Sequence, residues 1–418
     1  MSNGRLKRTS WRVVQSPAVI FVIALAIRLW VASQLLPAKI WQYFYEHNEF
    51  ARIAWAVVSG YGYSSPWANT PLAPTAVEPP IYSYLLVGIF KAAGAYSYRS
   101  LWIAVVLNAV LSSVTAVLIL HLGKRDFGAT VGVLAAWVWS CWLYEAAVAI
   151  RLWESSLAAL LLTLALLVLP RLTGSSRTSS WLMFGALAGG AGLTNTTLLA
   201  VFPFFWVWLW VECRHRGQDC RKRLLASVGT FVLVLVPWTI RNYEVFHRLM
   251  PLRDNFGLEL WLGNHEGVTR RFDTDFPLRN PAEYNRVGEL RFMEEKREIA
   301  IAFIRDHPGE FLKLSADRFF RYWTAPEIAV WLPLSALAWA GVILAWRRKG
   351  PQAAPYAIIL LAFPLIYYVT HTFNSYRHPT EPAMFILAAY AVASAGQALT
   401  NRLVPRISNP SGAFDQSL

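Results

Sequence analysis

Long, almost uncharged apolar runs constrain this chain more than any other feature. They follow one another from residue 17 to residue 398, and each is long enough, as a helix of about 20 residues, to cross the ~30 Å core of a bilayer. Inside lipid a segment must satisfy its own backbone polar groups, which leaves only helices and closed barrels. Barrel strands would show short stretches of alternating polarity, and these runs do not alternate. The composition agrees, because a chain that is 56% hydrophobic and 15% charged is too apolar for a soluble protein. The expected fold class is an all-α polytopic membrane protein of about ten transmembrane helices, at roughly 17–36, 100–122, 128–149, 152–170, 180–196, 197–212, 223–241, 328–346, 354–371 and 379–398.

A net charge of +14 invites a nucleic-acid reading, which its distribution excludes. Residues 241–325 carry 14 basic and 14 acidic side chains, so the excess, 25 basic against 11 acidic, lies in the spans and their short connections. Basic residues beside span ends report topology. With the N-terminal Arg5, Lys7, Arg8 and Arg12 inside and counted, the inside segments hold 18 basic residues. The short outside connections and the first long loop hold six: Lys39, Arg52, Lys91, Arg99, Arg151 and Arg377. Both termini are thus expected in the cytoplasm. The run Pro79–Gly94 would invert this pattern if it crossed, so it reads as a helix lying in the interface or dipping into the outer leaflet. The first span lacks a small-residue cleavage site and reads as a signal anchor. Cys141, Cys213 and Cys220 form no disulfide framework, and Cys213, His215 and Cys220 match no standard metal spacing.

Three regions follow: a transmembrane catalytic module, 1–240, with a first outer loop at 37–99; an extracytoplasmic helical segment, 241–325; and C-terminal spans with a short cytoplasmic tail, 326–418. Helix-like stretches are expected at 282–306 and 309–323, separated by His307-Pro308-Gly309, since proline is tolerated near a helix start.

Polar residues gather at the outer span ends. Glu46-His47-Asn48-Glu49 stands after the first span and before an amphipathic stretch. A carboxylate there can take a proton from a hydroxyl while low dielectric raises its pKa, or it can simply cap a helix. Arg151 and Glu154 lie three residues apart and are expected on one face at the start of the fourth span. They read either as functional groups or as a structural clamp. Arg28, in the body of the first span, is placed to reach Glu154 or an anionic headgroup. Arg241, Arg253 and Arg377 collect at the same leaflet, where guanidinium forks suit a phosphate or anchor span ends.

The order of these features resembles the GT-C superfamily of membrane glycosyltransferases, specifically the family 39 group that includes protein O-mannosyltransferases and the lipid A aminoarabinose transferase. The resemblance runs through the acidic stretch and helix Glu46–Ala54, Pro79-Pro80-Ile81-Tyr82, Arg151 with Glu154, Arg241-Asn242-Tyr243, Gly257–Asn264 and Tyr376-Arg377-His378-Pro379. It departs from the family in carrying Glu where Asp is usual at both acidic positions, and His47 where many relatives have a second acid.

The resemblance implies an inverting transferase that moves a sugar from a polyprenyl-phosphate donor to an acceptor hydroxyl on a lipid, glycan or protein at the outer face of a bacterial inner membrane. It places Glu46 as general base and Glu154 as the group positioning the sugar, with a divalent metal ion on these two carboxylates as the candidate cofactor. Glu49, Arg52, Tyr82, Arg151, Arg241, Arg253, Asn264, Tyr376, Arg377 and His378 are the expected binding residues, with Arg241, Arg253 and Arg377 around the phosphate. The rival classes are a secondary transporter or glycolipid flippase, for which no internal repeat speaks, a non-catalytic lipid-binding protein, and an oligosaccharide ligase or polymerase using diphosphate carriers.

Overall fold

A computed structural model describes residues 11–35, 45, 47–67, 72–268, 281–325 and 330–403. Among these residues every regular element is a helix, apart from one isolated bridge between Ser64 and Pro74. Helix α1 is Pro17–Leu35, α2 Glu49–Val58, α3 Pro80–Ala93, α4 Tyr98–Phe127, α5 Ala129–Cys141, α6 Leu143–Ala149, α7 Ser155–Leu172, α8 Thr178–Gly192, α9 Phe202–His215 and α10 Arg221–Phe246. The remainder are α11 Phe256–Gly263, α12 Pro281–Val287, α13 Glu289–Asp306, α14 Pro308–Thr324, α15 Trp331–Lys349, α16 Ala354–Ala362, α17 Leu365–Val369 and α18 Glu381–Leu403.

By length and apolarity seven segments among the described residues can cross a membrane, and the bent pair α5–α6 makes an eighth. The expected ten differ from this number at two places. Helix α8 has only 15 residues, and the expected spans 328–346 and 354–371 run on as one stretch, Trp331–Val369, broken at Gly350 with φ +58°. Helix α3 has 14 residues, about 21 Å at 1.5 Å per residue, and so is too short to span.

Small residues let the long helices approach backbone to backbone. A Cβ on Gly185 of α8 would stand 2.0 Å from the Ser227 carbonyl of α10, and one on Gly123 of α4 would stand 2.5 Å from Gly132 Cα of α5. The 65° bend between α5 and α6 leaves carbonyls at the end of α5 without helical partners. Arg28 fills that need. Its guanidinium donates to the Trp139 and Ser140 carbonyls, each at 3.3 Å, to Ala24 O at 3.0 Å and to Ser112 Oγ at 2.8 Å. The expectation that Arg28 reaches Glu154 is therefore corrected: these four acceptors engage it inside the bundle.

The two long loops interlock. Trp67 and Val77 from the first pack with Leu258, Leu262, Tyr284, Phe292 and Met293 from the second. Buried Glu289 accepts from Thr75 Oγ1, the Ala76 amide and Tyr284 OH. The expected helices 282–306 and 309–323 appear as α12, α13 and α14, with Gly288 (φ +82°) between the first two and Pro308 opening the third.

Candidate active site

Beneath the interlocked loops lies a cavity of about 750 Å³. Its walls combine the start of α2, the loop before α3, the starts of α7 and of the 3-10 turn Thr196–Ala200, helix α11 and the segment from Ile366 to Pro379. Four carboxylates line it, Glu49, Glu78, Glu154 and Glu259, together with Arg253 and His371. Elements far apart in sequence thus deliver one acidic chamber, with Arg253 the one guanidinium among the described residues on its wall.

Each group is held from behind. Asn48 caps α2 by accepting the Ala51 amide at 3.0 Å, which sets Glu49 in the first turn, where Trp67 Nε1 donates to it at 3.0 Å. Glu78 precedes Pro79-Pro80, whose rings fix the entry to α3. Arg253 donates from Nε to Val77 O at 2.6 Å, and its Nη2 stands 3.3 Å from Glu78 and 4.0 Å from Glu259. Asn195 Nδ2 donates to Glu154 Oε1 at 2.9 Å, and Glu154 Oε2 has no hydrogen-bond partner. His371 contacts Glu259 through Nδ1 at 3.4 Å and Tyr376 OH through Nε2 at 3.0 Å.

Burial governs the electrostatics. Burial raises Glu154 to about 7 even though its own amide, Arg253 and Asn195 oppose the shift. Burial also raises Glu49 and Glu78, which share a hydrogen bond with each other. It lowers His371. For Arg253, burial alone would lower the value, but the charges of Glu78, Glu259, Glu154 and Glu49 outweigh it and hold the guanidinium above its usual range.

Of the residues expected from sequence, Glu49, Glu154, Arg253 and Tyr376 line the cavity. Glu46 lies outside the described residues. The others stand elsewhere. Arg52 is half-buried one turn along α2. Tyr82 is buried, accepting from Asn108 Nδ2 at 2.8 Å. Arg151 and Glu154 do not share a helical face, because α7 begins only at Ser155; the preceding residues form a turn that exposes Arg151 and buries Glu154.

The three-arginine cradle is also corrected. Arg241 donates to the Thr75 and Tyr63 carbonyls at 2.6 and 2.8 Å and lies over Trp238 and Tyr63, so it straps the first loop to α10. Arg377 is buried against the Trp331 ring and donates to Tyr322 O and Glu381. Asn264 bridges Leu260 O, Val369 O and Arg318. His378 faces Glu145 and Glu381 rather than the cavity. Those three residues, and not Glu154, form the group of closely spaced metal-type ligands among the described residues.

Sequence reading missed Glu78, Asn195, Glu259, Tyr367 and His371 on the wall. Glu78 directly precedes the Pro-Pro pair and Glu259 sits inside Gly257–Asn264, so both lay within stretches already singled out. Asn195 and His371 carry no local signal.

Residues 77–240 match the family model described as dolichyl-phosphate-mannose-protein mannosyltransferase. No curated protein matches the chain. Among solved structures it is similar to ArnT from Cupriavidus metallidurans bound to undecaprenyl phosphate, with 16% identity over 92% of this chain and 62% of that one and a TM-score of 0.54. It is also similar to the Archaeoglobus fulgidus oligosaccharyltransferase in complex with zinc and sulfate, with 14% identity over 92% and 50% and a TM-score of 0.56. The same archaeal enzyme, AglB, in complex with an inhibitory peptide and a dolichol-phosphate, gives 14% identity over 93% and 52% and a TM-score of 0.53. The chain therefore spans about half to three fifths of the length of these structures. Its fold is similar to that of these solved structures, and residues 77–240 resemble the protein mannosyltransferase family model.

Proposed function

We propose that the chain is an inverting glycosyltransferase that takes a sugar from a polyprenyl-phosphate carrier and passes it to a hydroxyl of a lipid, glycan or protein acceptor. The observation that carries this reading is the convergence of Glu49, Glu78, Glu154 and Glu259 with Arg253 on one cavity. The solved relatives with undecaprenyl phosphate and dolichol-phosphate support the donor class. The excess of basic residues on the opposite connections supports a cavity at the outer face of a bacterial inner membrane, with both termini cytoplasmic.

In this mechanism the donor phosphate pairs with Arg253, and the sugar projects among the carboxylates. The acceptor oxygen attacks the anomeric carbon opposite the phosphate, and the bond from that carbon to the phosphate oxygen breaks. The electron pair leaves with the carrier phosphate, stabilised by the guanidinium. The acceptor proton passes to a carboxylate. Glu46 keeps this role as a proposal from sequence, and among the described residues it falls to Glu154, which lines the cavity and whose Oε2 has no hydrogen-bond partner. Much of the acceleration is positional, because the two substrates are held in line.

The test is a proteoliposome assay with radiolabelled undecaprenyl-phosphate sugars and membrane lipids and peptides as acceptors. Label leaving the carrier in a covalent product, and lost in Glu154→Gln, supports transfer. Label crossing the bilayer while still on its carrier assigns the protein to flipping instead.

A further inference from the structure

A second buried constellation lies outside the cavity. Glu145 on α6, His378 in the 3-10 turn Asn374–Thr380 and Glu381 at the start of α18 are 0%, 0% and 1% exposed. His378 Nδ1 stands 3.1 Å from Glu145 Oε2 and 3.5 Å from Glu381 Oε2. One ligand-type atom from each of the three residues lies within 4.8 Å of the others. Yet none of these contacts aligns as a hydrogen bond: both oxygens of Glu145, Glu381 Oε2 and both ring nitrogens of His378 are without a hydrogen-bond partner. Two carboxylates buried around one imidazole are costly unless positive charge sits among them.

The spacing identifies what fits there. Ligand bonds of about 2.0–2.2 Å around a tetrahedral ion set the ligand atoms about 3.3–3.6 Å apart. The His378 contacts at 3.1 and 3.5 Å lie close to that separation. We propose that Glu145, His378 and Glu381 bind a divalent metal ion of the zinc class. Imidazole with carboxylates and no thiolate suits zinc or manganese, and Glu145, with both oxygens unpartnered, can fill two positions.

Arg377 Nε donates to the other oxygen of Glu381 at 3.3 Å, orienting that ligand. The ion ties the bent half-helix α6 to the turn that carries Tyr376 and Pro379 into the cavity wall, so its role is to position that wall. The competing arrangement is an imidazolium between two carboxylates with no metal.

The two arrangements separate on full-length protein in lipid nanodiscs, exchanged into metal-free buffer and offered Zn²⁺ or Mn²⁺. The expected result is a single zinc per chain by mass spectrometry, with an X-ray absorption shell of nitrogen and oxygen alone. Glu145→Gln and His378→Gln should each weaken binding by about tenfold or more with an unchanged size-exclusion profile. If those variants do not fold, a Cys213→Ser/Cys220→Ser variant retaining its zinc supports the site on the wild-type spectrum. Substoichiometric zinc, sulfur in the shell, or undiminished binding by folded Glu145→Gln overturns it.

Discussion

Asn195 and Glu154, 41 positions apart on the cavity wall, are joined by a 2.9 Å hydrogen bond that engages one carboxylate oxygen and leaves the other buried without a hydrogen-bond partner. Asn195 is itself fixed, accepting the Thr197 amide at 3.0 Å. Replacing the carboxylate by its amide keeps the shape and removes the proton acceptor. Glu154→Gln should retain its folded size-exclusion profile and donor affinity yet lose transfer by about 10²–10⁴-fold in donor-saturated assays. Near wild-type turnover would remove Glu154 from the chemistry.

The raised value of Glu154, about 7, sets opposite pH trends for activity and stability. Transfer should rise as the carboxylate forms through that pH. The folded state binds the proton more tightly than the unfolded chain does, so the stabilisation is complete below the ordinary value of 4.5 and is lost as pH rises through about 7. Relative to Glu154→Gln, wild-type protein should therefore melt progressively lower across that window. Asn195→Leu removes a bond that favours the ionised form and should move the acid limb of activity to higher pH.

Arg253 and Arg241 should separate cleanly in kinetics. Arg253 lines the cavity, so Arg253→Ala should raise the donor KM by about tenfold or more, in keeping with loss of a charge-assisted phosphate contact. Arg241 bonds to loop carbonyls instead, so Arg241→Ala should cost about 1–3 kcal/mol of stability. Its donor KM should stay near that of wild type when both are assayed well below melting.

Two glycines on one helix give a packing test. A Cβ at Gly185 meets the Ser227 carbonyl at 2.0 Å, whereas one at Gly190 meets nothing within 4 Å. Gly185→Ala should destabilise by about 1–3 kcal/mol as α8 is pushed off α10. Gly190→Ala should be neutral or stabilising by up to about 1 kcal/mol, because alanine restricts the unfolded chain. Equal melting temperatures for the two variants would contradict the close approach of these helices.

The chain's periodicity and length made its helices legible, since a span needs about 20 apolar residues whatever surrounds it. The break before Pro308 and the non-spanning α3 were readable for the same reason: backbone rules act locally. The carboxylates of the cavity were legible only in part. Glu49 and Glu154 stand out as charges at apolar boundaries, but nothing near His371 or Asn195 in sequence marks them as neighbours of those acids.

The arginines show the limit most clearly. By sequence Arg241, Arg253 and Arg377 are equivalent, each a guanidinium at an outer span end. Only the packed structure distinguishes them, by offering loop carbonyls to Arg241, the Trp331 ring and Glu381 to Arg377, and the cavity to Arg253. Sequence alone determined a helical membrane chain with its polar residues at span ends, because solvation in lipid is a property of each segment. Tertiary structure decided which of those residues share a site, because a side chain's partners are set by contacts between segments distant in the chain.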